Sequence, residues 1–97
     1  MLIYDVKLEF IDQTIYSSFL VWLKDHISIM LSFEGFEKAD IEDSFKEKNT
    51  IRIKYHVKSE KDLNNYICNH SEKMRSEGFK LFKNSFKVSR KTYPLKS

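Results

Sequence analysis

Ninety-seven residues make one domain with a single core of two layers, and 41% hydrophobic beside 32% charged residues excludes a disordered chain. No apolar run approaches the length of a bilayer span, and the N-terminus reaches Asp5 with no basic flank, which argues against a membrane anchor and a secretory leader. The net charge is +3, and a lone cysteine, Cys68, which excludes an internal disulfide, fits a reducing compartment, so a cytoplasmic protein is expected.

In chain order, Ile3 to Phe10 alternates, with Tyr4, Val6, Leu8 and Phe10 set between Asp5, Lys7 and Glu9, as in a strand with one wet face. From Ile15 the period changes. Ile15, Phe19, Trp22, Leu23, His26, Ile29, Met30 and Phe33 recur every three or four residues, predicting an amphipathic helix of about five turns. Asp12 and Thr14 are both able to cap it, and Gly35 ends it in a left-handed turn. Phe36, Ala39 and Ile41, among Glu37, Asp40, Glu42 and Asp43, predict a short strand, and Lys46 to Asn49 a polar turn.

The strongest signal is Thr50 to Lys58. Ile51, Ile53, Tyr55 and Val57 alternate there with Arg52, Lys54, His56 and Lys58. Ser59 then opens a second helix, with Leu63, Tyr66, Ile67, His70, Met74 and Leu81 on one stripe running to about Lys83. Gly78 on that side either lets the backbone approach the sheet closely or breaks the helix. Phe86 and Val88, alternating with Lys87, Ser89 and Lys91, predict a last strand stopped by Pro94.

The order β-α-β-β-α-β, with right-handed crossovers, places both helices on one face of a four-stranded antiparallel sheet. This is the α+β, ferredoxin-like arrangement, as one domain over residues 1–97 with strand order 4-1-3-2. Its other face carries Asp5, Lys7, Glu9, Arg52, Lys54, His56 and, from the last strand, Lys87, Ser89 and Lys91, so the exposed aromatics on which RNA-binding sheets stack bases are missing. Residues 1–50 carry five Lys against ten acids (−5), and residues 51–97 twelve Lys or Arg against four acids (+8). With an acidic second strand and a basic fourth strand at the two edges, a homodimer with facing sheets would set opposite charges together. RNA recognition by stacking is disfavoured; a purely electrostatic grip by the basic second half stays open, although lysine-rich surfaces are more often just soluble ones, so nucleic acid is not the expected partner.

The opening Met1-Leu2-Ile3-Tyr4-Asp5-Val6, the Trp22-Leu23-Lys24 followed by His26-Ile27, and His70, Glu77, Phe82, Phe86 and Arg90 at their spacings resemble an uncharacterised family of small bacterial proteins. Its members look like dimeric α/β-barrel proteins, the superfamily that includes antibiotic-biosynthesis monooxygenases. The chain departs from the pattern in two places: the family often has one more residue between the tryptophan and the histidine, and a proline where this chain has Ser28. The resemblance implies a fold and a dimer, and brings no activity.

For chemistry, His26 and His70 are the candidate catalytic residues, because each sits mid-stripe on the apolar side of its helix at similar expected depth. Trp22, Tyr55 and Tyr66 would surround a small, partly aromatic ligand, and Arg90, on the apolar register of the last strand, would meet a ligand carboxylate or a structural partner. No metal site and no cofactor is expected, since two histidines without a third ligand at a recognisable spacing are a weak signal. Three readings stay open: a small-ligand binder with or without catalysis by a histidine, a structural or interaction module whose histidines only satisfy the core, and a polyanion binder acting through the basic second half.

Overall fold

Alternation at the centre of the chain builds the sheet. In the computed structural model, in which residues 1–95 are described, β1 (Leu2–Phe10) pairs antiparallel with β3 (Thr50–Val57), and Tyr4 stands opposite Tyr55. β2 (Phe36–Ser44) flanks β3, β4 (Phe86–Pro94) flanks β1, and the order β2-β3-β1-β4 is the expected 4-1-3-2 read from the other edge. Tyr4, Leu8, Phe10, Ile51, Ile53, Tyr55 and Val57 turn to one side, where they meet α1 (Tyr16–Met30) through Phe19, Leu23 and Met30. Leu63 and Tyr66 of α3 (Glu60–Asn69) and Met74 and Phe82 of α4 (Ser71–Phe82) complete that layer. The fold is ferredoxin-like. No described helix is long and apolar enough to cross a membrane. The last two residues of the expected domain, 96 and 97, lie outside the described part.

The first helix is shorter than its stripe. Asp12 caps a single 3-10 turn, Gln13–Ile15, accepting from the Thr14 amide at 2.9 Å and its hydroxyl at 2.6 Å, so Thr14 is a donor and not the cap. Ile29 stays exposed beyond the apolar stripe. Gly35 adopts φ +86° as expected of a left-handed turn, and its carbonyl accepts from the Lys58 amide at 2.8 Å. The polar turn after β2 is instead a four-residue helix, α2 (Phe45–Lys48), closed by Asn49 at φ 56°. Phe45 explains it: the ring stacks on Tyr16 at 3.9 Å and meets the edge of Phe10, so its burial draws the turn onto the core.

The second helix breaks at His70 and not at Gly78. His70 has φ −130°, and the Ser71 hydroxyl donates at 2.7 Å to the Ile67 carbonyl. A serine hydroxyl that competes for a helix carbonyl is a known cause of bending. At about 100° per residue an unbroken helix would align Leu81 with Leu63 and swing Phe82 aside. The break resets that phase. Phe82 goes in, and Leu81 is left 62% exposed. Gly78 does permit close approach, but to α1 and not to the sheet: a Cβ there would lie 3.1 Å from the Trp22 ring.

The reverse face is drier than a bare sheet should be. Asp5 is 2% exposed, and His56 is also buried. Arg52 pairs with Asp5 at 3.0 Å, His56 with Asp40 at 2.7 Å and Lys54 with Glu42 at 3.6 Å. Each pair is diagonal, one step off the facing residue, which long side chains span easily. His56 thus meets an acid of β2, not of β1, and the strand-three cations find their partners within one sheet and need no second subunit for them. Tyr93 of β4 adds its hydroxyl to Asp5 at 3.0 Å.

Gly35 lies under the start of α3, where Ser59 caps by accepting from the Asp62 amide. A Cβ at Gly35 would come within 2.4 Å of Asp62 at a φ that alanine avoids. Gly35→Ala is expected to lower stability by about 2–4 kcal/mol in denaturant unfolding, the sum of a left-handed penalty and an overpacked contact.

Candidate functional site

Rings and helices leave a space unfilled between the two layers, a cavity of about 320 Å³. The sheet contributes its floor through Tyr4, Val6 and Leu8 of β1, Ile53 and Tyr55 of β3, and Val88 and Arg90 of β4. From α1 come Phe19, Trp22, Leu23 and His26, spaced along the buried stripe. Tyr66 of α3 and Met74 and Gly78 of α4 close the far wall. The exposed lining residues, Arg75, Phe79, Lys83, Asn84 and Arg90, place the mouth between α4 and β4.

Trp22 and His26 form one rigid unit. One helical turn apart, their rings stack at 4.4 Å and 21°. Gly78 removes the side chain that would push the indole, and Phe82 meets it edge-on at 5.7 Å. His26 is therefore fixed from below, and its Nδ1 is buried without a hydrogen-bond partner. Burial lowers its pKa to about 4; Glu77 opposes that shift and Arg90 adds to it. At neutral pH the ring is uncharged and offers one nitrogen to whatever enters.

Three tyrosines gather on the floor. Tyr4 lies 6.2 Å from Tyr55 and 5.9 Å from Tyr66, ring centre to ring centre. Burial pushes the Tyr66 hydroxyl up to about 12 and raises Tyr55 further still, so both stay protonated donors. Arg75 donates to the Tyr4 hydroxyl at 3.2 Å. Arg90 faces the same hydroxyl. Although the residue as a whole counts as exposed, its guanidinium is crowded enough that desolvation, with Arg75 beside it, lowers its pKa.

Of the residues singled out from sequence, Trp22, Tyr55, Tyr66, Arg90 and His26 line this one cavity. His70 does not. It caps the junction of α3 and α4 and stacks on Phe33 at 4.4 Å, because the helix break takes it off the stripe. The two imidazoles therefore do not converge. Sequence reasoning passed over Tyr4 and Arg75. Tyr4 was legible as an inward residue of β1, whereas Arg75 faces the mouth only because the break at His70 rotates α4. Among the described residues no three His, Cys, Asp or Glu side chains come together as a metal site would need. Cys68 is exposed.

Comparisons with known proteins agree on architecture. A conserved protein from Methanosarcina mazei Go1 superposes with a TM-score of 0.73 at 17% identity, over 99% of this chain and 94% of the other. SnoaB of Streptomyces nogalater, a cofactor-independent oxygenase solved as a point variant, superposes at 0.77 with 4% identity, over 99% and 93%. A dimeric ferredoxin-like protein from an uncultured marine organism superposes at 0.74 with 11% identity, over 95% and 92%. At such identities the likeness is one of fold. No curated protein matches the chain. The family described as a domain of unknown function, DUF4286, matches residues 1–94, and the chain belongs to it.

Proposed function

We propose that this chain is a homodimeric domain that binds a small organic molecule in the cavity between its helices and its sheet. The observation that carries the reading is a largely apolar space of about 320 Å³ lined by His26 together with convergent tyrosines and arginines. Such a pocket, apolar with a few placed polar groups, is the usual form of a ligand site, and about 300 Å³ is the lower end of the usual range. His26, neutral at pH 7, acts as a hydrogen-bond partner to the ligand. Its low pKa makes it a weak general base, so proton abstraction by it needs a ligand that raises that pKa. That one structural neighbour is a cofactor-independent oxygenase supports catalysis without a bound cofactor as the enzymatic version of this reading.

The dimer is proposed through the reverse face of the sheet. Asp5 Oδ1 is buried there with no partner among the described residues, while Oδ2 takes both Arg52 and Tyr93. Both partners of Oδ2, Arg52 and Tyr93, are partly exposed on that face and would meet a second copy. The dimeric description of one structural neighbour supports the same assembly, and the lone exposed thiol supports a reducing, cytoplasmic setting.

Trp22 is the sole tryptophan, so its emission reports on the cavity directly. Titrated with small aromatic probes, the emission is expected to shift; a spectrum indifferent to all of them would leave the structural-module reading in place. Without ligand the same emission should titrate with His26 near pH 4, since a protonated imidazole quenches a stacked indole, and His26→Gln should abolish that step.

Stability follows the same group. Because the folded pKa lies below the ordinary value of about 6.5, the unfolded chain takes up the proton first as pH falls. Stability is fully present above that ordinary value and is lost toward pH 4. His26→Gln should remove on the order of 1–2 kcal/mol of this acid sensitivity in unfolding measured across that window, allowing for the ring's partial exposure.

For the assembly, light scattering should give twice the 11.7 kDa chain mass. Asp5→Ala should lower stability by about 2–4 kcal/mol by stranding Arg52, and should shift the mass toward the single chain. A wild-type mass of one chain would sink the dimer.

A further inference from the structure

The cavity has cations at its mouth, and among the described residues no Asp or Glu lines it. Arg75 on α4 and Arg90 on β4 approach the same Tyr4 hydroxyl, and Arg75 stands close enough to disfavour the charge on Arg90. Among the described residues neither guanidinium forms an ion pair. Glu77 acts on His26 and is not among the groups that act on Arg90. Lys83 adds a third cation at the opening. Like charges held together beside an apolar space raise the free energy of the empty protein, and an anion between them would lower it.

We infer, resting on the ligand-binding reading above, that the cavity takes a ring-bearing organic acid, with its anionic head between Arg75, Arg90 and the Tyr4 hydroxyl and its rings against Trp22. The planar guanidinium fork suits a carboxylate or a phosphate oxygen pair. Tyr4, which accepts from Arg75, still has its own proton to donate to the head. Tyr55 and Tyr66 are kept protonated by burial, and among the described residues their hydroxyls find no protein partner, so the floor too presents donors to an acceptor-rich ligand.

The test uses three probes of one shape: naphthoate, naphthyl phosphate and the neutral naphthamide. Each is titrated into the full chain by calorimetry, with the Trp22 indole resonance as the marker of cavity occupancy. The anions are expected to bind at least roughly tenfold more tightly than the amide, with a gap that narrows as salt rises. Whichever anion binds more tightly identifies the head group as carboxylate or phosphate. Arg75→Gln and Arg90→Gln should each weaken the anions by roughly tenfold while leaving the amide unchanged, and Arg90→Lys should fall between. Arg75 is exposed on α4, so its variant decides the matter even where Arg90→Gln fails to fold. An amide that binds as tightly as the acids would overturn the anion site and leave the cavity as a ligand site. An indole resonance unmoved by all three would overturn both.

Discussion

The facing of Tyr4 and Tyr55 across the two inner strands governs the rest of the molecule. Side chains on a strand alternate, so this one register decides which face every residue of β1 and β3 presents. A slip of one residue would turn Asp5 and the cations of β3 into the ring layer and the tyrosines out to water. Burying those charges unpaired costs several kcal/mol each, which makes the register stiff. From it follow the contacts that seat the helices: Tyr66 meets Tyr4 at 5.9 Å and Phe36 at 5.1 Å, so α3 is placed by rings already fixed in the sheet.

The same reliance on rings explains why a cavity persists. At one end Phe10 meets Phe19, Phe45 and Phe86 edge-on, and at the other Tyr4, Tyr55, Tyr66 and Phe36 form a second cluster. Val6 and Leu8 lie between them on β1, too short to reach the helices across that gap, and they floor the cavity. The Trp22–His26 stack cannot lean down to fill it, because Gly78 and Phe82 hold the indole against α4. Aliphatic side chains would repack into such a space, whereas interlocked planar rings do not.

Much of this was legible in the residues. The alternation in β1 and β3, the left-handed turn at Gly35 and a cation on the inward register of β4 are local patterns, and they carry the sheet, its order and most of the cavity wall. What local pattern could not give were events set by competition. The Ser71 hydroxyl takes the Ile67 carbonyl, the helix ends at His70, and everything beyond it is re-phased. That single break removes His70 from the cavity, buries Phe82 in place of Leu81, and turns Arg75 toward the mouth. Likewise the diagonal ion pairs of the reverse face depend on strand twist, which periodicity alone does not encode.

The two faces of the sheet treat charge in opposite ways. On the reverse face, the described cations and imidazole of β3 each find an acid: Arg52 with Asp5, Lys54 with Glu42, His56 with Asp40. The inner side holds two arginines beside the Tyr4 hydroxyl, and among the described residues neither forms an ion pair. A chain with fourteen acids has no shortage of partners, and a carboxylate at Val6, the residue facing Arg90 on the neighbouring strand, would supply one. Pairing the arginines internally would stabilise the empty protein and neutralise the mouth of its cavity. Leaving them unpaired keeps a positive field focused by apolar walls on the concave space that His26 also lines, which is the arrangement expected where the compensating charge arrives with a ligand.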